Sequence, residues 1–599
     1  MATTVIDRRT KYRVGSPVLP VLPVRTIPLA HVADRFSDKF PDSFTHLDNI
    51  RAILAGNSIV TRRILAAYRL HAESELNDRY ITITCRALYQ PGSEGSEVTW
   101  PKAVQQIRKY LDSQNMHLAI EIIADKLYYG LATFPFRTDT YRWNEVLLPI
   151  VCELLDAGGH QWITLDMVYR EDVEVAADNM RPTILIGARD SDEQAWWDNT
   201  LPAIQHLPQV AEYNILVELV YRQEYFTLGP DPTMLAECFD WDSSVQLGAS
   251  CGSNTTGSGT LGGSLRLADP DTGEVQRFGL TNHHVLCRHV VGEGPFTTFE
   301  DGPIKVDCPS SADREFYVRD LQKTFDFFKN RSQAPTDNTM LETIKRKLEK
   351  AKKFDTILGH VFASSGLRSA QNQRSKQRSD EVLAGEWALD WCLTTIETRS
   401  MESELRHSRA GEKKVVRYCS LKPGQGYSVF KKGRTSGGTT GYISATQSVL
   451  GWRSNAPEPE DGDTAPFASL IGFPKPVRCH SMIADWNSGQ RGEFIKPGDS
   501  GSLIVLDPYN SALSEDDHPW KPVESDIATL RDEKASSDVE DEKGQGEAMI
   551  VGLAFAGKTE QMISYMIPMD LVVQDIQSVT GLNVVEPTLA GTVNRNRLE

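Results

Sequence analysis

The residues with most chemical promise are Lys496-Pro497-Gly498-Asp499-Ser500-Gly501-Ser502, which run directly into the apolar stretch Leu503-Ile504-Val505-Leu506. A serine between glycines, on a tight turn at the mouth of a strand, presents its hydroxyl for nucleophilic attack. Glycines there let the backbone bend and approach a substrate carbonyl closely. The backbone N–H groups of Gly498 and Ser500 are then candidates to face the oxygen that becomes negatively charged. The same turn also serves as an ordinary entry into a strand, so a nucleophile reading needs a base and an acid from elsewhere.

Two stretches offer them. Phe278-Gly279-Leu280-Thr281-Asn282-His283-His284-Val285-Leu286-Cys287 ends a strand in two histidines, either of which would be held rigidly at the strand end. A lone histidine is more often a packing or surface residue, and a general base needs neighbours. Glu386-Trp387-Ala388-Leu389-Asp390-Trp391-Cys392-Leu393 sets one carboxylate in an apolar strand. Burying that acid is costly unless it is hydrogen-bonded, and an imidazole N–H is a suitable partner. By itself Asp390 reads as readily as a cap or a surface acid.

In chain order, Leu280-Thr281-Asn282-x-His284-Val285, Leu389-Asp390-x-x-Leu393 and Gly498-Asp499-Ser500-Gly501 resemble the trypsin-like, chymotrypsin-fold serine proteases. The Thr-Asn-x-His-Val form is similar to the high-temperature-requirement and glutamyl-endopeptidase branches. Ser258-Gly259-Thr260-Leu261-Gly262-Gly263, placed ahead of it, resembles a group of intracellular fungal proteins with trypsin-like domains. The resemblance implies that Ser500 is the nucleophile, that His284 is the general base and that Asp390 holds the imidazole in the useful tautomer. It further implies an oxyanion hole made by the N–H groups of Gly498 and Ser500, a protein or peptide substrate, and no metal or cofactor. His283, the rival base, matches the family's variable position. Asp355, the rival acid, follows a lysine-rich helix and starts its own strand, so Asp390 fits the motif better. The primary pocket would be set by Phe494, six residues before the nucleophile, with Phe555, Ala556 and Gly557 on the facing strand. With no acid there, an apolar or small side chain is expected and Lys or Arg is disfavoured. The motif ends in Gly501-Ser502 where many relatives carry two glycines.

These residues need barrels to position them. The expected organisation is α+β and multidomain: an N-terminal α/β sandwich domain followed by an all-β, double-barrel, chymotrypsin-like domain with helical and disordered inserts. Its bounds are an extended arm over 1–42, rich in proline, an α/β domain over 43–227, a linker over 228–247, the protease domain over 248–584 and a tail over 585–599. In the N-terminal domain, helical spacing over 43–77 predicts two helices broken at Gly56-Asn57. Tyr80–Cys85, Trp100–Leu111 and His117–Ile123 read as strand, helix, strand, and a similar unit recurs from Pro182 to Tyr221, which suggests a βαβ repeat. No phosphate-cradling loop occurs there, and Trp196-Trp197 reads as packing. Binding or regulation through a protein partner is the expected use. The Gly/Ser/Thr-rich stretch from Gly248 to Gly263 marks the domain boundary, Ser258 to Leu267 reads as a first barrel strand, and Lys431 to Ile443 resembles the family's glycine-rich hairpin. An insert over 309–353 carries an amphipathic helix with Ile344 and Leu348 on one face and Lys345, Arg346, Lys347, Lys350, Lys352 and Lys353 around them. A second insert, 511–547, is acidic and serine-rich and reads as a disordered loop.

Composition sets the outer bounds. With 40% apolar and 24% charged residues, 599 residues are enough for two or three cores, and a net charge of -17 argues against broad binding to nucleic acid or anionic membrane. The start of the chain lacks the apolar core of a secretory signal, and no run of about 18 apolar residues follows. Nine cysteines without CxxC pairs fit thiols. The chain therefore reads as an intracellular serine endopeptidase, with oligomeric state left open. The alternatives are a catalytically silent scaffold and an esterase-type acyl hydrolase.

Overall fold

The computed structural model describes residues 5–32, 40–171, 180–223, 226–227, 241, 244–253, 257–287, 294–297, 302–331, 335–371, 385–401, 404–407, 411–451, 473, 475–485, 494–507, 547–558 and 562–592. Most of the expected linker, and the acidic insert up to residue 546, lie outside the described residues. The chain divides into two compact units: residues 1–132, 151–163 and 170–223 form one, and 133–150, 164–169 and 224–599 the other.

The first unit is built on a five-stranded sheet in the order Arg13–Ser16, Ala119–Ala124, Ile81–Ala87, Thr61–Leu70, Arg25–Pro28. Ile81–Ala87 and Ala119–Ala124 run parallel, as their connection through the helix Ser96–Ser113 requires. That helix buries Trp100, Val104, Ile107 and Leu111, a stripe at helical spacing, into the sheet's apolar core. A second parallel pair, Pro182–Ala188 with Leu216–Tyr221, brackets the short helices Leu201–Gln205 and Pro208–Glu212. Where periodicity predicts two helices over 43–77, only Ser43–Gly56 is helical, and Thr61–Leu70 is a strand. The arm contributes two of the five strands. Trp196 is buried, stacks on His160 at 3.8 Å and donates its indole N–H to Asp190, which is packing as expected.

Arg69 is the reason Thr61–Leu70 belongs in the sheet. Its guanidinium reaches Glu121 at 2.8 and 2.9 Å, while Arg13 Nε reaches the same carboxylate at 2.7 Å and Thr84 Oγ1 donates to it at 3.0 Å. Burial alone would raise the Glu121 pKa, but the two arginines outweigh it and hold it at about 2. A carboxylate depressed in this way stabilises the fold above its ordinary value of 4.5, and that contribution is lost as pH falls towards 2. At 1.36 kcal/mol per pH unit this amounts to about 3 kcal/mol. Glu121→Gln is therefore expected to lower the unfolding temperature most at neutral pH, with the gap to wild type closing in acid. Melting curves from pH 7 to pH 2 check this; a gap independent of pH refutes it.

The second unit holds two barrel-like sheets. In the first, all-antiparallel pairing gives the order Ser258–Leu261, Ala249–Ser253, Lys305–Asp307, Ile357–Ser364, Cys392–Thr395, Val275–Thr281, Gly263–Ala268, Asn583–Glu586. The expected first strand is broken at Gly262 into two pieces on opposite sides of this order, which curls the sheet back on itself. Gly262 is required there, because a Cβ would lie 2.0 Å from the Gly501 carbonyl oxygen. In the second sheet, Val477–Ala484, Ile563–Pro568, Glu547–Lys558, Leu503–Leu506, Tyr427–Gly433 and Gly437–Leu450 pair antiparallel in turn. Gly437–Leu450 pairs again with Val477–Ala484 and closes the ring. The inserted segment forms two helices, Ser311–Arg331 and Pro335–Lys353; Ile344 and Leu348 are buried and the basic residues of the second helix are exposed. The eight cysteines among the described residues are thiols outside any disulfide, with Cys287 and Cys392 sharing a thiol hydrogen bond at 3.7 Å.

Candidate active site

Strand pairing brings the expected base and acid, His284 and Asp390, together. Leu280 faces Leu393 and Thr281 faces Cys392 across an antiparallel pair, so the residues just past Thr281 lie beside those just before Cys392. The turn is pinned at its backbone: the Asn282 amide donates to the Asp390 carbonyl at 2.6 Å, and the His283 N–H donates to it at 3.3 Å. His284 then opens the short helix His283–Leu286. Its backbone N–H donates to Asp390 Oδ1 at 3.0 Å, and its ring Nδ1 lies 2.5 Å from Asp390 Oδ2. With Asp390 fully buried and its carboxylate an acceptor, the ring proton sits on Nδ1, and Nε2 carries the lone pair. That Nε2 is buried and makes no hydrogen bond among the described residues.

The rivals are elsewhere. His283 turns its Nδ1 to Ser364 Oγ at 2.8 Å. Asp355 is exposed and accepts the N–H of Ile357 at 3.1 Å.

The turn around Ser500 is held by hydrogen bonds and by two close approaches. The Ser500 carbonyl accepts from Thr260 N at 2.8 Å, Gly501 N donates to Ala554 O at 2.9 Å, and Ser502 Oγ donates to Asp499 O at 2.6 Å. Ser502 thus ties the turn. Gly501 has φ +94°, and a Cβ on it would fall 2.2 Å from Thr260 O and 2.4 Å from Thr281 Oγ1. It is therefore the contact between this turn and the strand that leads to His284. The N–H groups of Gly498 and Ser500 make no hydrogen bond among the described residues and are available to an anionic oxygen. Ser500 is fully buried, and its Oγ donates to the Phe555 carbonyl at 3.2 Å.

Asp499 carries a second layer that the sequence did not reveal. Its carboxylate accepts Lys431 Nζ at 2.7 Å, Ser436 Oγ at 2.5 Å and the backbone N–H groups of Thr435, Ser436 and Lys496 at 2.9, 3.1 and 2.9 Å. Burial would raise its pKa, but Lys431 above all, together with these donors, holds it below the usual carboxylate range. Lys431 and Asp499 are both fully buried. Only the glycine-rich hairpin around Lys431 was legible; the lysine's partner lies 68 residues away.

The expected pocket residues make different contacts. Phe494 is 1% exposed and packs in the apolar core of the closed barrel with Ile443, Met482 and Ile504. Phe555 supplies the carbonyl that holds Ser500, and its ring meets Phe473 edge to face at 6.1 Å. Ala556 and Gly557 pair antiparallel with the chain's own Thr227 and Phe226. In the first unit, His160, Asp190 and Glu193 are close enough to share a metal ion. Thr200 already engages His160 Nε2 at 2.7 Å, however, and Gln161 N and Trp196 Nε1 bond the two Asp190 oxygens.

No family model matches the sequence, and no curated protein matches it. Among solved structures, the chain is similar to Thermobifida fusca protease A at 12% identity over 57% of this chain and 99% of that one, with a TM-score of 0.23. A glutamic-acid-specific serine protease aligns at 10% identity over 57% and 100%, with a TM-score of 0.24. Cellulomonas bogoriensis chymotrypsin aligns at 14% identity over 34% and 75%, with a TM-score of 0.17.

Proposed function

We propose that the chain is a serine endopeptidase whose working domain, 248–584, is a chymotrypsin-like double barrel, and that it cleaves peptide bonds through an acyl-enzyme intermediate. The observation that carries this is the pairing of His284 Nδ1 with a fully buried Asp390, which leaves a lone pair on Nε2 for the hydroxyl of Ser500. In the reaction, Ser500 Oγ leaves the Phe555 carbonyl and gives its proton to His284 Nε2 as the Oγ–C bond forms. The substrate carbonyl's π electrons move to its oxygen, which the N–H groups of Gly498 and Ser500 stabilise. The tetrahedral centre then collapses, the C–N bond breaks, and the leaving amine takes the proton from Nε2. Water deacylates the serine by the same steps in reverse. A protein or peptide is the substrate class, and no step calls for a metal or cofactor. The free thiols favour a reducing, intracellular setting, and the N-terminal unit serves to restrain or recruit. No helix among the described residues is long and apolar enough to cross a membrane.

The bond from Ser500 Oγ to Phe555 O, instead of to the imidazole, favours a second reading as a silent scaffold. Labelling with a fluorophosphonate separates the two. The protease reading expects a covalent adduct on wild type and none on Ser500→Ala. An unlabelled wild type, or equal labelling of the alanine variant, sinks it. Labelling together with ester hydrolysis, but no cleavage in a diverse peptide library, assigns an acyl hydrolase instead.

A further inference from the structure

The insert between base and acid reaches the nucleophile turn through one buried polar network. Asp313 lies in the first turn of Ser311–Arg331, where a helix favours a carboxylate. It receives both arms of the Arg434 guanidinium, Nε at 2.5 Å on Oδ2 and Nη2 on Oδ1. Ser250 Oγ donates to Asp313 Oδ2 at 2.5 Å from the other side and accepts the N–H of Ser310, whose hydroxyl in turn bonds Ser258 at 2.5 Å. All of these groups are buried. The third guanidinium nitrogen is the informative one. Arg434 Nη1 bonds Thr435 Oγ1 at 3.0 Å and fills the space in which a side chain on Gly498 would stand, 1.9 Å from an ideal Cβ. The Gly498 carbonyl is tied as well, accepting from Thr260 Oγ1 at 3.0 Å, while Thr260 Oγ1 itself accepts the Arg434 backbone N–H at 3.0 Å. Gly498 is thus wedged at its α-carbon and anchored at its carbonyl with φ at +93°, which fixes where its own N–H points.

We propose that Asp313 is a positioning residue for the reaction: from the helical insert it holds Arg434 against Gly498, and so keeps the Gly498 N–H aimed at the developing oxyanion. The inference rests on the serine-hydrolase reading above. The ion pair neutralises the guanidinium, and its forked geometry sets the planar group at one angle against the glycine. Without the carboxylate, a buried arginine next to the turn loses its counter-charge, and Gly498 loses its wedge.

The test is the rate of phosphonylation by a fluorophosphonate, resolved into maximal rate and half-saturating concentration. It is read well below each variant's melting temperature. Asp313→Asn is expected to lower the maximal rate on the order of 10²-fold, the effect of one oxyanion-hole donor, while half-saturation is unchanged. Arg434→Lys keeps the charge but not the fork and is expected to slow labelling likewise; it decides the matter if Asp313→Asn does not fold. Ser250→Ala weakens the same network on its far side, so a purely structural role predicts that it slows labelling as much as Asp313→Asn does. The positioning role predicts a lower melting temperature with a wild-type rate. Wild-type rates in both Asp313→Asn and Arg434→Lys, or equal slowing in Ser250→Ala, overturn the inference. An unlabelled wild type overturns the serine-hydrolase reading instead.

Discussion

His284→Ala is expected to remove essentially all reaction at Ser500, a loss of about 10⁶-fold where base and nucleophile act as one unit. His283→Ala, one residue earlier, is expected to react at close to the wild-type rate, because its ring is committed to Ser364 and points to a different partner. Asp390→Asn falls between them, at about 10⁴-fold. Its amide nitrogen cannot accept the Nδ1 proton, so the ring takes the other tautomer and presents a proton to Ser500 where a lone pair is needed. Single-turnover acylation with an activated ester measures all three. A reversed order for the two histidines would move the base by one residue and refute the assignment.

Lys431→Met is expected to cost roughly 3–5 kcal/mol of stability, because it leaves Asp499 buried and charged without its partner. The loss also reaches the chemistry, since the Asp499 carboxylate binds the N–H of Lys496 in the turn before Ser500 and ties that turn to the N–H groups of Thr435 and Ser436 in the hairpin beside it. Asp499→Asn in the Lys431→Met background removes the stranded charge, so the double variant is expected to be more stable than Lys431→Met alone. Chemical denaturation of wild type, both single variants and the double variant measures that coupling. Simple additivity would mean that the pair does not hold the turn.

What could be read from the sequence follows from how local each signal is. The order of His284, Asp390 and Ser500 was legible because each sits where a strand meets a turn, in a short motif of its own. The helix Ser96–Ser113 was legible because its buried residues recur at one spacing. Thr61–Leu70 was not: Ile64, Leu65 and Tyr68 also sit at helical spacing, and only the pairing partners and the reach of Arg69 to Glu121 decide for a strand. Phe494 was expected beside the substrate because of its count from the nucleophile; that it packs into the core of the closed barrel follows from strand pairing, which the count does not carry. Lys431 with Asp499, and Arg434 with Asp313 across 121 residues, left no local trace, because charge pairs buried by topology have no sequence period. The insert reads from sequence as an amphipathic helix with a basic face, and that face is exposed, but the first turn of its other helix carries the Asp313 carboxylate into a buried network.

The antiparallel contact of Phe226 and Thr227 with Gly557 and Ala556 occupies a strand edge that begins one residue from the carbonyl holding Ser500. An extended peptide adding a strand at that edge has to displace this one. Because the occupant belongs to the same chain, the contest is set by its effective concentration and not by how much protein is in the tube. Dilution therefore cannot relieve it.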